Sequence, residues 1–235
     1  MIPKIMHQIW LGKKSERPVD LMKTVEDNHK DWEYKLWTEE NIGELINKNK
    51  YDQVLYDNYC GESKYPKLAD IIRYEKLFTY GGVYIDADSK CNKSFNYLAS
   101  TPFFVAYENE EKCPGIIANG VIGSIPNHVV LKDCIDRIGQ LSERAITSKP
   151  AFKVTGTMLL TRIIHQSENI EIQIHPSQYF YPVHYSDFNN HTFDEKFEHS
   201  YTFQLWNSTI KNRSSIISRA SKKLYRMFNW NIWNQ

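Results

Sequence analysis

Residues 68 to 88, Leu-Ala-Asp-Ile-Ile-Arg-Tyr-Glu-Lys-Leu-Phe-Thr-Tyr-Gly-Gly-Val-Tyr-Ile-Asp-Ala-Asp, decide how the rest of the chain is read. Leu68, Ile71, Ile72, Leu77 and Phe78 recur at helical spacing, Gly81 and Gly82 end the helix, and Val83 to Ile85 form a short buried strand. Side chains alternate along an extended chain, so Asp86 and Asp88 point to one side and Ala87 to the other. That places two hard oxygen ligands within reach of one divalent cation. Asp70 and Arg73, three residues apart, share a helical face. If that face looks toward the strand end, a guanidinium suited to a phosphate or hydroxyl and a third carboxylate suited to a sugar ring join the pair.

Upstream, Ile2-Pro3-Lys4-Ile5-Met6-His7-Gln8-Ile9-Trp10-Leu11-Gly12 reads as a first strand ending on an aromatic residue. An isolated Asp-X-Asp is weak, but its helix-Gly-Gly-strand setting makes it specific. The two segments, in this order, resemble family 32 of the retaining glycosyltransferases, and they are similar to the catalytic domain of the large clostridial glucosylating toxins. The resemblance implies a GT-A fold, a mostly parallel sheet flanked by helices, binding a nucleotide sugar with Mn²⁺ or Mg²⁺. It implies that Trp10 lies against the nucleotide base, Asp70 bonds a sugar hydroxyl and Tyr84 lines the donor site. Asp88 then holds the metal, and Asp86 contacts the ribose or reaches the metal through water.

Three later segments extend the resemblance. Asn119-Gly120 matches the Asn-containing strand near the sugar, and Thr155-Gly156-Thr157 matches a Thr-Gly-Pro motif with Thr157 in place of proline. His199 and Gln204-Leu205-Trp206 match the region that closes over the diphosphate, with His199 completing the metal shell, Gln204 or His184 as substitutes, and the Trp206 indole N–H bonding the leaving phosphate. Asp86, Asp88, Arg73 and Trp206 form the implied catalytic set, and Gly156 joins the donor site. Each residue also has an ordinary role open to it: Trp10 as a core aromatic, Tyr84 as a sheet aromatic, Asp70 and Arg73 as an ion pair, Asn119-Gly120 as a turn.

Along the chain, strands alternate with helices, the pattern of an α/β domain. Glu33 to Trp37, Phe103 to Tyr107 and Ile116 to Ile125 read as strands. Thr38 is expected to cap a helix through Ile42, Leu45 and Ile46, Pro126 to open one through Val130, Cys134, Ile138 and Leu141, and Val154 to Ile164 to form another. Ile170, Ile172 and Ile174 alternate with Glu171 and Gln173 as a half-exposed strand.

With 235 residues, 41% hydrophobic and 14% aromatic, the chain can bury a sizeable core in one domain, expected over 1–206. A formal charge of +1 argues against a general nucleic-acid binder. The charge is uneven: Lys211, Arg213, Arg219, Lys222, Lys223 and Arg226 face no acid from 207 to 235, which leaves −5 for residues 1 to 206. An apolar stripe of Ile217, Ala220, Leu224, Met227 and Phe228, with Trp230 and Trp233 after it, makes 207–235 a basic amphipathic tail. Such a tail either lies on an anionic membrane through 211–233 or packs on the domain. Cys60, Cys91, Cys113 and Cys134 match no zinc or C-x-x-C spacing and are given no role. A strand begins almost at Met1 and no apolar run is long enough for a span, so a cytoplasmic protein, at most peripheral to the membrane, is expected.

Function then reads as transfer of a hexose from a nucleotide sugar, a UDP-sugar before GDP-mannose, to a glycan or lipid-linked acceptor in surface-polysaccharide or glycoprotein synthesis. The alternatives are a nucleotide-sugar-binding protein without turnover and a metal-dependent phosphohydrolase. The second needs further carboxylate or His ligands that the sequence does not cluster.

Overall fold

The structure, a computed structural model, describes residues 1–57, 60–61, 64–187 and 199–206. The tail expected from 207 onward lies outside them. In chain order, β1 (Ile5–Ile9), α1 (Val19–Asn28), β2 (Glu33–Trp37), α2 (Lys48–Tyr56), α3 (Lys64–Tyr80), β3 (Gly82–Ile85), β4 (Ser89–Cys91), β5 (Phe103–Tyr107) and β6 (Ile117–Ser124) come first. Then follow α4 (Val129–Gly139), α5 (Glu143–Ser148), α6 (Ala151–Val154), α7 (Thr157–Gln166), β7 (Gln173–His175) and β8 (Thr202–Gln204).

Six strands form one sheet in the order β2-β1-β3-β6-β5-β7, and β4 pairs with β8 in a separate two-stranded ribbon. β1 is parallel to β2 and β3, and β5 to β7, whereas β6 runs antiparallel to both β3 and β5. Five strands therefore point one way and only β6 is reversed, so the sheet is mixed but mostly parallel. Residue alternation gives each face its own core. Tyr84, Phe103 and Val105 pack with Leu68, Ile71, Ile72 and Ile135 on one side. Val83, Ile85, Phe104 and Ala106 pack with Val25, Phe95, Phe180 and Trp206 on the other.

Helix α3 is the central element of the first layer. It is buried from Lys67 to Leu77 apart from Ala69, so its polar residues Asp70, Arg73 and Glu75 are enclosed rather than solvated. Gly81 ends it with φ +63°, its N–H bonded to the Leu77 carbonyl at 2.8 Å, and a Cβ there would stand 2.8 Å from the backbone nitrogen of Pro126. Gly82, φ +102°, lies under β1, where a Cβ would meet the Ile5 carbonyl oxygen at 2.5 Å. Only glycine satisfies both constraints, which fixes where the helix stops and the strand starts.

Several expected elements differ. Thr38 begins a turn, not a helix: its carbonyl accepts from Asn41 and Ile42, Gly43 takes φ +62°, and the helix starts only at Lys48. The helix expected from Pro126 starts at Val129, because Asn127 adopts φ +57° and the His128 side chain accepts from the Val130 N–H as cap. The single helix expected over 154–164 is two, α6 and α7, broken at Thr155-Gly156. Of the alternating isoleucines only Ile174 lies in a strand, the three-residue edge strand β7 beside β5.

Candidate active site

Strands β1 and β3 are parallel neighbours, so the residues that follow them, Trp10 and Asp86, emerge at the same end of the sheet. This is the end at which parallel strands place ligands. Trp10 is half-buried, its backbone N–H on the Trp37 carbonyl and its indole N–H on the Lys13 carbonyl at 3.1 Å. Asp86 extends the β3–β6 ladder by donating its N–H to the Gly120 carbonyl. The chain then turns, with the Ser89 N–H returning to the Asp86 carbonyl at 3.1 Å. Asp86 and Asp88 therefore flank a tight turn rather than alternating along one strand, and the turn is what leads into β4.

One buried cation organises the carboxylates behind this turn. Arg73 donates to the Asn119 carbonyl, to the Tyr84 hydroxyl at 3.2 Å and to Asp86 Oδ1 at 2.9 Å, and lies 3.4 Å from Asp70 Oδ1. Its guanidinium stacks over the Tyr84 ring at 4.2 Å. Tyr84 in turn donates to Asp86 Oδ1 at 2.7 Å. Asp70 accepts from Thr155 Oγ1 at 2.8 Å and from Asn119 Nδ2 at 2.9 Å, and Thr157 Oγ1 donates to Asn119 Oδ1 at 3.3 Å. The break between α6 and α7 thus serves the site, because it turns Thr155 and Thr157 onto Asp70 and Asn119. Gly156 lies close enough that a Cβ would stand 3.2 Å from Asp70 Oδ2.

Burial and charge fix the protonation of this cluster. Burial pushes Asp70 up to about 6, against the opposing pull of Arg73 and the bonds from Thr155 and Asn119. Burial alone would lower Arg73, but Tyr84, Asp86 and Asp70 around it hold it charged, well above its ordinary value. One guanidinium serves two carboxylates, and the nearer one, Asp86, takes the stronger contact.

Asp86 Oδ2 faces the other way, toward Asp88. The side chain between them is Gln204, whose amide donates to Asp88 Oδ1 at 2.7 Å and reaches Asp86 Oδ2 at 3.4 Å. It arrives there because β8 pairs with β4, placing Gln204 opposite Ser89, whose hydroxyl bonds the Gln204 amide oxygen. His199, expected in this position, is exposed, and its carbonyl accepts from Lys93 Nζ. Trp206 follows with φ +55°, buried against Tyr181, its indole N–H on the Val183 carbonyl at 3.0 Å.

Tyr181, which sequence reading passed over, belongs to the same corner. Its buried hydroxyl finds no partner of hydrogen-bond geometry among the described residues, and a Cβ on Gly120 would meet that hydroxyl at 3.2 Å and Asp86 Oδ2 at 2.7 Å. Gly120 therefore leaves room for both groups to approach. Two carboxylates and an amide that can present its oxygen by a half-turn are a hard donor set, and they fit a divalent cation.

The paired carboxylates and the buried arginine thus meet at the carboxyl ends of a mostly parallel sheet, where such sheets place their ligands. Residues 15–104 match the glycosyltransferase sugar-binding region containing the DXD motif, and residues 151–230 match the α-1,4-glycosyltransferase conserved region. An uncharacterised glycosyltransferase of Acanthamoeba polyphaga mimivirus is 32% identical over 198 residues, covering 80% of this chain and 77% of that protein. Inositol phosphoceramide mannosyltransferase 3 of Schizosaccharomyces pombe is 38% identical over 133 residues, 55% of this chain and 35% of that protein. The chain thus matches about a third of the yeast protein's length. In structure, the PaToxG glycosyltransferase superposes with a TM-score of 0.56 at 20% identity, over 70% of this chain and 69% of that one. The chain belongs to the glycosyltransferases with a DXD-containing sugar-binding region, and its fold is of the GT-A type.

Proposed function

We propose that the chain is a metal-dependent, retaining hexosyltransferase that uses a nucleotide sugar and delivers the sugar to a glycan or lipid-linked acceptor. The observation that carries this is the pairing of Asp86 Oδ2 and Asp88 across Gln204, beside a carboxylate network locked by Arg73. Asp88, Asp86 and Gln204 would hold Mn²⁺ or Mg²⁺, which supplies positive charge against the diphosphate as it departs.

The side chains divide the remaining work. Arg73 is enclosed and engaged by protein acceptors, so it acts as a positioning residue that holds Asp86 in one orientation and balances Asp70. Trp10, at the rim, offers its ring to the base. Trp206 turns its indole N–H from the Val183 carbonyl to the leaving phosphate, adding one donor where negative charge develops. Asn119, held by Asp70 and Thr157, faces the sugar with Tyr84 and Tyr181 behind it. No side chain among these stands as a free general base, which suits front-face substitution: the departing phosphate oxygen takes the acceptor's proton as the new glycosidic bond forms on the face the phosphate leaves.

The mannosyltransferase name of the yeast relative supports GDP-mannose beside UDP-sugars as a donor, and a lipid-borne acceptor. The basic, acid-free tail suits an anionic membrane surface for such an acceptor. Incubation with UDP- and GDP-sugars and Mn²⁺, with lipid and oligosaccharide acceptors, tests the proposal. Acceptor-dependent release of nucleotide with the sugar's anomeric configuration retained supports it. Binding without release means a non-catalytic binder, and release of phosphate from the nucleotide itself means a phosphohydrolase.

A further inference from the structure

Away from the carboxylate pair, three donors of different chemistry, Glu108, Cys113 and His184, meet beyond the end of β5. Glu108 follows β5 directly, its N–H on the Ile116 carbonyl. Cys113 lies in the loop that joins β5 to β6, held by its own N–H on the Asn109 carbonyl at 3.0 Å, while the Asn109 side chain accepts from the Glu111 and Lys112 N–H groups. His184 follows Val183, whose carbonyl accepts from the Trp206 indole N–H, and is 5% exposed.

The ligand atoms of the three all lie within 4.8 Å of one another. His184 Nε2 is 3.4 Å from Glu108 Oε1, and Cys113 Sγ is 3.8 Å from the same oxygen. Metal bonds of about 2.0–2.3 Å at tetrahedral angles set neighbouring donors roughly 3.3–3.6 Å apart, so the His184–Glu108 separation already fits a zinc shell and the Cys113 thiol has to draw in by a few tenths of an ångström or more. His184 Nε2 is buried and, among the described residues, makes no hydrogen bond, although it faces Glu108 Oε1. The other ring nitrogen, Nδ1, lies 2.8 Å from Ser186 Oγ and 3.3 Å from the Ser186 backbone nitrogen; in the tautomer that ligates through Nε2, Nδ1–H donates to the Ser186 hydroxyl, and the longer contact from the Ser186 N–H is given up.

We infer that Glu108, Cys113 and His184 form a second metal site, selective for a borderline-soft divalent cation of the zinc class and separate from the hard site at Asp86 and Asp88. The sulfur, nitrogen and oxygen donors favour Zn²⁺ or Co²⁺ over Mn²⁺ and Mg²⁺. Binding breaks the Cys113 S–H bond: the proton goes to solvent and the thiolate electron pair forms the metal–sulfur bond, while water fills the fourth position. Burial and the neighbouring Glu108 push the thiol up to about 11, so the metal-free chain keeps it protonated. The site ties the β5–β6 loop to the segment whose Val183 carbonyl holds Trp206, alongside the Lys112–Asp187 ion pair that spans the same gap. This inference is independent of the transfer reaction.

Titration of the full chain with Co²⁺ alone tests it. A thiolate-to-cobalt charge-transfer band should appear and should vanish when Zn²⁺ is added. The band should be lost in Cys113→Ser and retained in Asp88→Asn. Zn²⁺ affinity, measured by competition with a chelating dye, should fall more than about tenfold in Glu108→Gln, a shape-conserving change that guards against loss of fold. A folded wild type with no band, a band that persists in Cys113→Ser, or unchanged Zn²⁺ affinity in Glu108→Gln would each overturn the site.

Discussion

At the residue scale, each carboxylate is set apart by its neighbours. Asp88 faces Gln204 and the turn, so Asp88→Asn is expected to keep the fold while metal-dependent donor binding disappears and turnover falls by on the order of 10²–10³. Calorimetry with Mn²⁺ and nucleotide showing wild-type affinity in the variant would remove Asp88 from the metal shell. Gly120→Ala should be as informative, because its Cβ would stand 2.7 Å from Asp86 Oδ2. Overpacking of this kind costs about 1–3 kcal/mol, and donor affinity should fall with it. Equal denaturation midpoints for the two proteins would show that the corner relaxes freely.

Asp70 gives a pH prediction. Its folded value, about 6, lies above the ordinary 3.8, so the folded state binds more protons between those limits and this group's contribution to stability falls as pH rises through them. Asp70→Asn has no such titration. Relative to wild type, the variant should gain stability by up to about 3 kcal/mol between about pH 3 and pH 7, some two thirds of it between pH 4 and pH 6, read from urea unfolding at each pH. A difference that is flat with pH would mean that Arg73 keeps Asp70 at its ordinary value.

At the element scale, the site depends on two features that break regular structure. The interruption between α6 and α7 turns Thr155 onto Asp70, and the β4–β8 ribbon carries Gln204 back over the turn at Asp88. Helical periodicity runs through 154–164 without a gap, so the break is not legible in the apolar pattern; the glycine at 156 is its only sequence mark. The ribbon is harder still to read, since Ser89 and Gln204 stand 115 residues apart. Gln204→Ala should weaken Mn²⁺ binding by roughly 10–100-fold, the range for losing a group that ligates or orients a ligand. If the metal affinity is unchanged, Gln204 only buttresses Asp88.

At the scale of the whole molecule, charge separates the body from its end. No helix among the described residues is long and apolar enough to cross a membrane. Separately, the basic residues beyond 206 carry the proposed contact with an anionic lipid surface. Each is worth at most about 1 kcal/mol near an anionic bilayer and is screened by salt. The full chain should float with anionic vesicles at low salt, release as salt rises, and ignore neutral vesicles. Replacing Arg219, Lys222, Lys223 and Arg226 with Gln should abolish flotation while leaving donor binding intact. Flotation that survives this change would exclude the electrostatic reading.

The sequence by itself determined the local units: the Gly81-Gly82 stop after α3, the strand before Asp86, the strand limits of β2 and β5, and the family to which their combination points. These follow from short-range rules, because apolar spacing and glycine conformation act over a few residues. Tertiary structure alone decided that β6 runs against its neighbours, that Arg73 is enclosed by Tyr84, Asp86, Asp70 and Asn119, and that Gln204 rather than His199 meets the carboxylates. It also gave Cys113 a place beside Glu108 and His184. Each of these rests on contacts between distant segments, whose partners are chosen by strand pairing and burial across the sheet, and no spacing along the chain encodes that choice.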